Sequence, residues 1–161
     1  MQKRLVLGFG ILLAGAALAE THTDYGASDD WIIRINPANG NGCYMQKTFE
    51  NGTVVQVGAV PDREGAFFAA YNTAWIDIVE GEAGSLLLDF EDSRFQGEVL
   101  GGSFEGAPGG YAFFNNPEFV SEFGRRRSVT ITGERGGSEK IDLTGSSRAI
   151  GTVTACQDEQ D

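Results

Sequence analysis

Asp89, Glu91 and Asp92, gathered around Phe90, are the densest grouping of side chains in this chain that could do chemistry. Alternation along a strand puts Asp89 and Glu91 on one face, with Asp92 turning into a loop. Such a group could bind a cation, but calcium needs about six to eight oxygens at set positions and no EF-hand spacing is present. Two opposed carboxylates could also hydrolyse a glycoside if a groove held them at the required separation. The plain alternative is a set of solvated strand ends. Asp77, Glu80 and Glu82 form a second acidic group near a turn.

Arg125, Arg126 and Arg127 stand out against this acidic background. Placed at the end of a helix, they would meet the negative pole of its dipole and pair with nearby acidic turns. Their planar forks are equally suited to a phosphate or carboxylate ligand. The one histidine, His22, lies so near the expected mature terminus that it is expected to be too mobile to act as a base. Ser-His-Asp and Cys-His arrangements and ordinary zinc sites are then not expected, nor is any cofactor. No Walker lysine accompanies the glycine-rich stretches, so they do not read as phosphate loops.

Cysteine chemistry depends on the compartment. Lys3 and Arg4, the apolar run Leu5 to Leu13, and Ala17-Leu18-Ala19 have the order of a secretory signal peptide, cut before Glu20. The apolar stretch is too short to span a membrane, and no longer one follows. Export to the periplasm or medium is the expectation, and there Cys43 and Cys156 read as a disulfide. A closure of 113 residues is credited with roughly 4–5 kcal/mol by chain-entropy reasoning.

The mature chain of 142 residues is the size of one domain and large enough for a core. Without Lys3 and Arg4 it carries 10 basic against 23 acidic residues, a net charge of −13 with His neutral. That charge argues against nucleic acid and anionic membranes as partners. A protein or small-molecule partner is left unspecified, as is the oligomeric state.

These groups must be positioned by short strands. Glycine, 23 of 161 residues, punctuates apolar segments. Residues 20–30 read as a flexible leader, 31–157 as a single β-rich domain and 158–161 as a polar tail. Strands are expected at 30–35, 43–49, 53–60, 65–71, 85–90, 95–100, 128–132 and 139–143. Asn51-Gly52 makes a hairpin of the second and third. Asn72 to Ile76 reads as a bend, and Gly101 to Gly110 as a flexible connection. Asn116-Pro117-Glu118 opens a short helix that Gly124 should stop. A last helix, capped by Thr144 or Ser146, carries Ala149, Val153 and Cys156 on one stripe, which turns Cys156 toward the sheet bearing Cys43. The expected fold is mainly β: an antiparallel β-sandwich or small, partly open barrel, with a short middle helix and a C-terminal helix packed on one sheet.

Leu143-Thr144-Gly145-Ser146-Ser147-Arg148-Ala149-Ile150, closing at Cys156, resembles the end of small exported proteins of Gram-negative bacteria. Trp31 near the mature start and Cys43-Tyr44-Met45-Gln46-Lys47 extend the likeness. The layout is similar to the invasion-associated locus B family of periplasmic or secreted β-rich proteins. That resemblance implies a non-enzymatic exported domain and assigns no functional residue. The leading expectation is a disulfide-stapled binding or accessory protein. The alternatives are a secreted enzyme inhibitor, presenting a loop such as Gly101 to Gly110, and a carboxylate-dependent hydrolase built on Asp89, Glu91 and Asp92.

Overall fold

Alternation of apolar and polar side chains gives the chain its strands, because one face of each can be buried while the other meets water. The computed structural model describes residues 21–135 and 137–161; the expected signal segment lies outside the described residues. The strands are β1 (Thr23–Ser28), β2 (Trp31–Asn36), β3 (Gly42–Thr48), β4 (Val54–Gly58), β5 (Ala66–Tyr71), β6 (Ala83–Asp89), β7 (Arg94–Phe104), β8 (Ala107–Phe114), β9 (Ser128–Gly133) and β10 (Ser138–Asp142). Two helices complete the fold, α1 (Glu118–Arg125) and α2 (Ser146–Gln160).

All ten strands join one antiparallel sheet in the order β1-β2-β3-β4-β5-β8-β7-β6-β9-β10. The sheet curls. Trp31 of β2 and Ile141 of β10 lie far apart in strand order, yet they share one core cluster with Phe119 and Phe123 of α1 and Ala149 of α2. The two ends also meet through side chains: Asn51 Nδ2 and Thr53 Oγ1 donate to the Glu139 carboxylate at 2.6 and 2.9 Å. Trp31 Nε1 donates to the Thr144 carbonyl at 3.1 Å. That carbonyl is held in place because Asp142 Oδ1 accepts from both Thr144 N and Oγ1, bonds that keep the Asp142 carboxyl below its ordinary value. The result is an open barrel without hydrogen-bonded closure.

Helix α1 plugs one end. Phe119 stacks on Phe114 at 4.6 Å, and Phe123 meets Trp31, Phe68 and Phe90 at 6.2–6.3 Å. Asn116 Oδ1 accepts from Glu118 N, the expected cap, but Gly124 lies inside the helix and does not end it. Helix α2 packs on β1, β2, β3 and α1. Its buried stripe of Ala149, Val153 and Cys156 faces the core as expected, and Cys43–Cys156 is a disulfide with Cα atoms 6.1 Å apart. The cap differs: Gly145, at φ 83°, precedes the helix without a side-chain cap bond, and Ser146 Oγ instead donates to the Phe123 carbonyl.

Three other expectations are corrected. Residues 23–28 are an edge strand, not a loose leader: Asp24 pairs with Arg34 at 2.7 Å and Tyr25 Oη donates to Glu159 at 2.8 Å. Most of the polar tail is helical, since α2 runs to Gln160. Gly101 to Gly110 is no flexible connection but the distal half of hairpin β7–β8, with Gly101 opposite Gly110 and Gly102 opposite Gly109. Its tip laps over the outer face of the sheet, bringing Phe104 to 5.6 Å from Tyr71 and Glu105 to 4.0 Å from Arg34. The stretch named for the inhibitor alternative is therefore part of the sheet and not a loop.

Candidate functional site

The acidic trio is divided. β6 ends at Asp89, whose carboxylate accepts from Glu91 N at 2.8 Å and from Arg94 Nε at 2.8 Å. Glu91 reaches Lys140 at 3.6 Å, and Asp92 reaches Arg126 at 2.7 Å. Each carboxylate thus answers a different cation, and among the described residues no three His, Cys, Asp or Glu side chains gather as a metal would need.

Two of the three arginines pair within the fold, while the Arg127 side chain is exposed. Arg125 and Arg126 lie one turn beyond Glu122, and both pair with its buried carboxylate, Arg126 Nε at 2.7 Å. Ser93 Oγ adds a further donor at 2.9 Å. Three groups therefore satisfy the Glu122 carboxylate and tie the end of α1 to the β6–β7 turn. Arg127 contributes its carbonyl to Leu143 N. His22 is held against the outer face, edge-on to Tyr44 and Phe104, with Nδ1 2.5 Å from Tyr44 Oη. Burial pushes the Tyr44 hydroxyl up to about 12, against the opposing pull of Arg34, so it stays protonated at neutral pH.

The barrel end opposite α1 is where the fold leaves room. A cavity of about 420 Å³ opens there, with Phe68 and Ala70 of β5, Leu86 of β6, Val99 of β7 and Ile131 of β9 on its walls. Such a volume falls within the range of small-molecule sites, which favour the mouths of barrels. The connection between β5 and β6 forms a lid bearing Trp75, Ile78 and Val79. Both lid ends are fastened. Asn72 N donates to the Pro108 carbonyl and its side chain to Thr53 Oγ1, while Gly81 N and Gly101 N bond the Gly101 and Glu82 carbonyls. Across the mouth, Arg135 Nη1 donates to the Asp77 carbonyl at 2.8 Å.

The lid exposes Ile76 at 81% and Val79 at 57%, unusual for large apolar residues so close together on a connection without regular structure. From sequence, only Asn72 to Ile76 reads as a bend, ahead of the acidic turn at Glu80 to Glu82. The available signal was an apolar run, Trp75-Ile76 and Ile78-Val79, set among Asp77, Glu80 and Glu82, too short for a core strand and too apolar for an ordinary turn. The cavity walls carried no such signal, because their residues come in twos to fours from six different strands, β5 to β10.

No family model matches the chain, and no curated protein matches it either. Among solved structures, the crystal structure of invasion associated protein B from Bartonella henselae is similar, with a TM-score of 0.56 over 86% of this chain and 99% of that one. The two chains are 12% identical, so the likeness is one of fold.

Proposed function

We propose that this chain is an exported, non-catalytic binding domain that admits a small, largely apolar ligand to the lidded cavity at the open end of its barrel. The observation that carries this reading is the cavity itself: apolar walls, a fastened lid and about 420 Å³ at the one end that α1 does not fill. The Cys43–Cys156 bridge is compatible with an oxidising compartment, in agreement with the signal-peptide reading of residues 1–19. The acidic trio favours catalysis less, since its members point to separate cations.

Gly84 provides the test. It lines the cavity, and the nearest atoms to a Cβ placed there are Glu134 Oε2 at 2.9 Å and Val99 Cγ1 at 3.6 Å. The first belongs to a flexible side chain that can move, so Gly84→Phe should fold and fill the mouth. Titration with Nile red, a neutral apolar dye, should give saturable binding to the natural chain and at least roughly tenfold weaker binding to the variant. Equal binding by both proteins with unchanged thermal melts, or no saturable binding by the natural chain, would overturn the reading.

A further inference from the structure

We infer that the ligand of this cavity is a cationic amphiphile, an apolar body carrying an amine or a comparable positive group; the inference rests on the cavity being the binding site. The interior selects for apolar surface through Phe68, Trp75, Leu86 and Val99. The rim selects for charge. Four carboxylates line it, those of Asp77, Glu82, Glu134 and Glu139, against one cation, Arg135. Glu139 is already committed to Asn51 and Thr53, and Arg135 to the Asp77 carbonyl. Among the described residues, the carboxylates of Asp77, Glu82 and Glu134 have no hydrogen-bonding or ionic partner. Glu134 lies against the wall at Gly84, closely enough that a Cβ there would sit 2.9 Å from its Oε2.

Low-dielectric walls concentrate the field of such a rim, and the net charge of −11 on the whole chain reinforces it. A neutral ligand that closed the mouth would strip water from these carboxylates and give them no partner in return. An anion would be repelled. A cation would be attracted, and Trp75, an aromatic ring of the kind that ammonium groups favour, lines the same cavity.

Three probes that share one apolar tail separate the possibilities: n-octylammonium, n-octanol and n-octanoate, titrated below their micellar concentrations at low ionic strength and followed by calorimetry. The ammonium should bind roughly tenfold tighter than the alcohol, with the advantage shrinking at high salt. Glu82→Gln combined with Glu134→Gln should remove most of that advantage by weakening ammonium binding, while octanol binding stays as tight or becomes tighter because the desolvation cost of the two carboxylates is gone. Gly84→Phe should abolish ammonium binding; its persistence there would mean general attraction to an acidic surface and would overturn the inference. Equal affinity for alcohol and ammonium would overturn the charge selection and leave the cavity reading standing. Tightest binding of octanoate would overturn it in favour of an anion held by Arg135. If no probe binds and Nile red also fails, the cavity reading falls and the inference with it.

Discussion

Tyr71 lies on the outer face of β5 under the ring of Phe104, and burial, with a smaller contribution from Tyr111, pushes its hydroxyl up to about 12. Tyr44, on the same face, is pushed up to about 12 as well, mainly by burial. A hydroxyl whose folded value lies above its unfolded one, near 10, stabilises the fold fully below pH 10. That contribution disappears as pH rises through the folded value. Urea unfolding should therefore be nearly independent of these groups up to pH 10 and weaken between pH 10 and 12, by roughly 2 kcal/mol for Tyr71. Tyr71→Phe should remove its share of the slope; an unchanged slope in the variant would show that Tyr71 ionises freely in the folded protein. At this scale the sequence was partly legible. Cys43 and Cys156 could be paired from compartment and stripe, whereas Arg125 and Arg126 gave no sign of the buried Glu122 that binds both. Three residues of helix separate Glu122 from Arg126, but its burial depends on how α1 meets the β6–β7 turn.

Glycine has opposite meanings in different strands. At Gly58 of β4 a Cβ would stand 2.3 Å from Tyr44 Cβ and 2.5 Å from the Cys43 carbonyl oxygen, neither of which can move without parting β3 from β4. At Gly102 of β7 nothing lies within 4 Å. Gly58→Ala should lower stability by about 2 kcal/mol or more, the scale of overpacking against fixed backbone. Gly102→Ala should be neutral or stabilising by up to about 1 kcal/mol, because it restricts the unfolded chain. Chemical denaturation of the two variants checks the contrast, and similar losses in both would refute it. The same feature explains which elements could be read locally. Trp31 to Ile35 and Ser85 to Phe90 show their strands because inner and outer residues alternate. The distal half of β7–β8 reads as a loop because its glycines answer to distant atoms. A Cβ at Gly101 would meet the Val79 carbonyl oxygen at 2.1 Å, and one at Gly109 the Ala70 carbonyl oxygen at 2.1 Å. β1 is hidden for another reason: none of its residues is buried, so no alternation marks it.

Over the whole molecule, curvature decides what the chain can hold. Apolar alternation reveals how many strands form but not how far the sheet curls, and the cavity exists only because β5, β6, β7, β8 and β9 curl together around the end that Phe119 and Phe123 leave open. The disulfide acts at the same scale. It joins β3 to α2 across 113 residues, nearly the entire described chain, and Gln157 Oε1 accepts from Cys43 N at 2.9 Å beside it. Removing the link enlarges the unfolded ensemble far more than it disturbs the native contacts, because Ala149 and Val153 still bury α2 and Tyr25 still holds Glu159. Cys43→Ala with Cys156→Ala should therefore keep the native circular dichroism yet lose about 4–5 kcal/mol, the closure entropy of so long a loop. The expected readout is a urea midpoint displaced downward with little change in Nile red affinity measured well below that midpoint. Dye binding lost together with stability would instead make the staple a part of the cavity's architecture, while a midpoint within about 1 kcal/mol of the natural protein's stability would defeat the loop-entropy account.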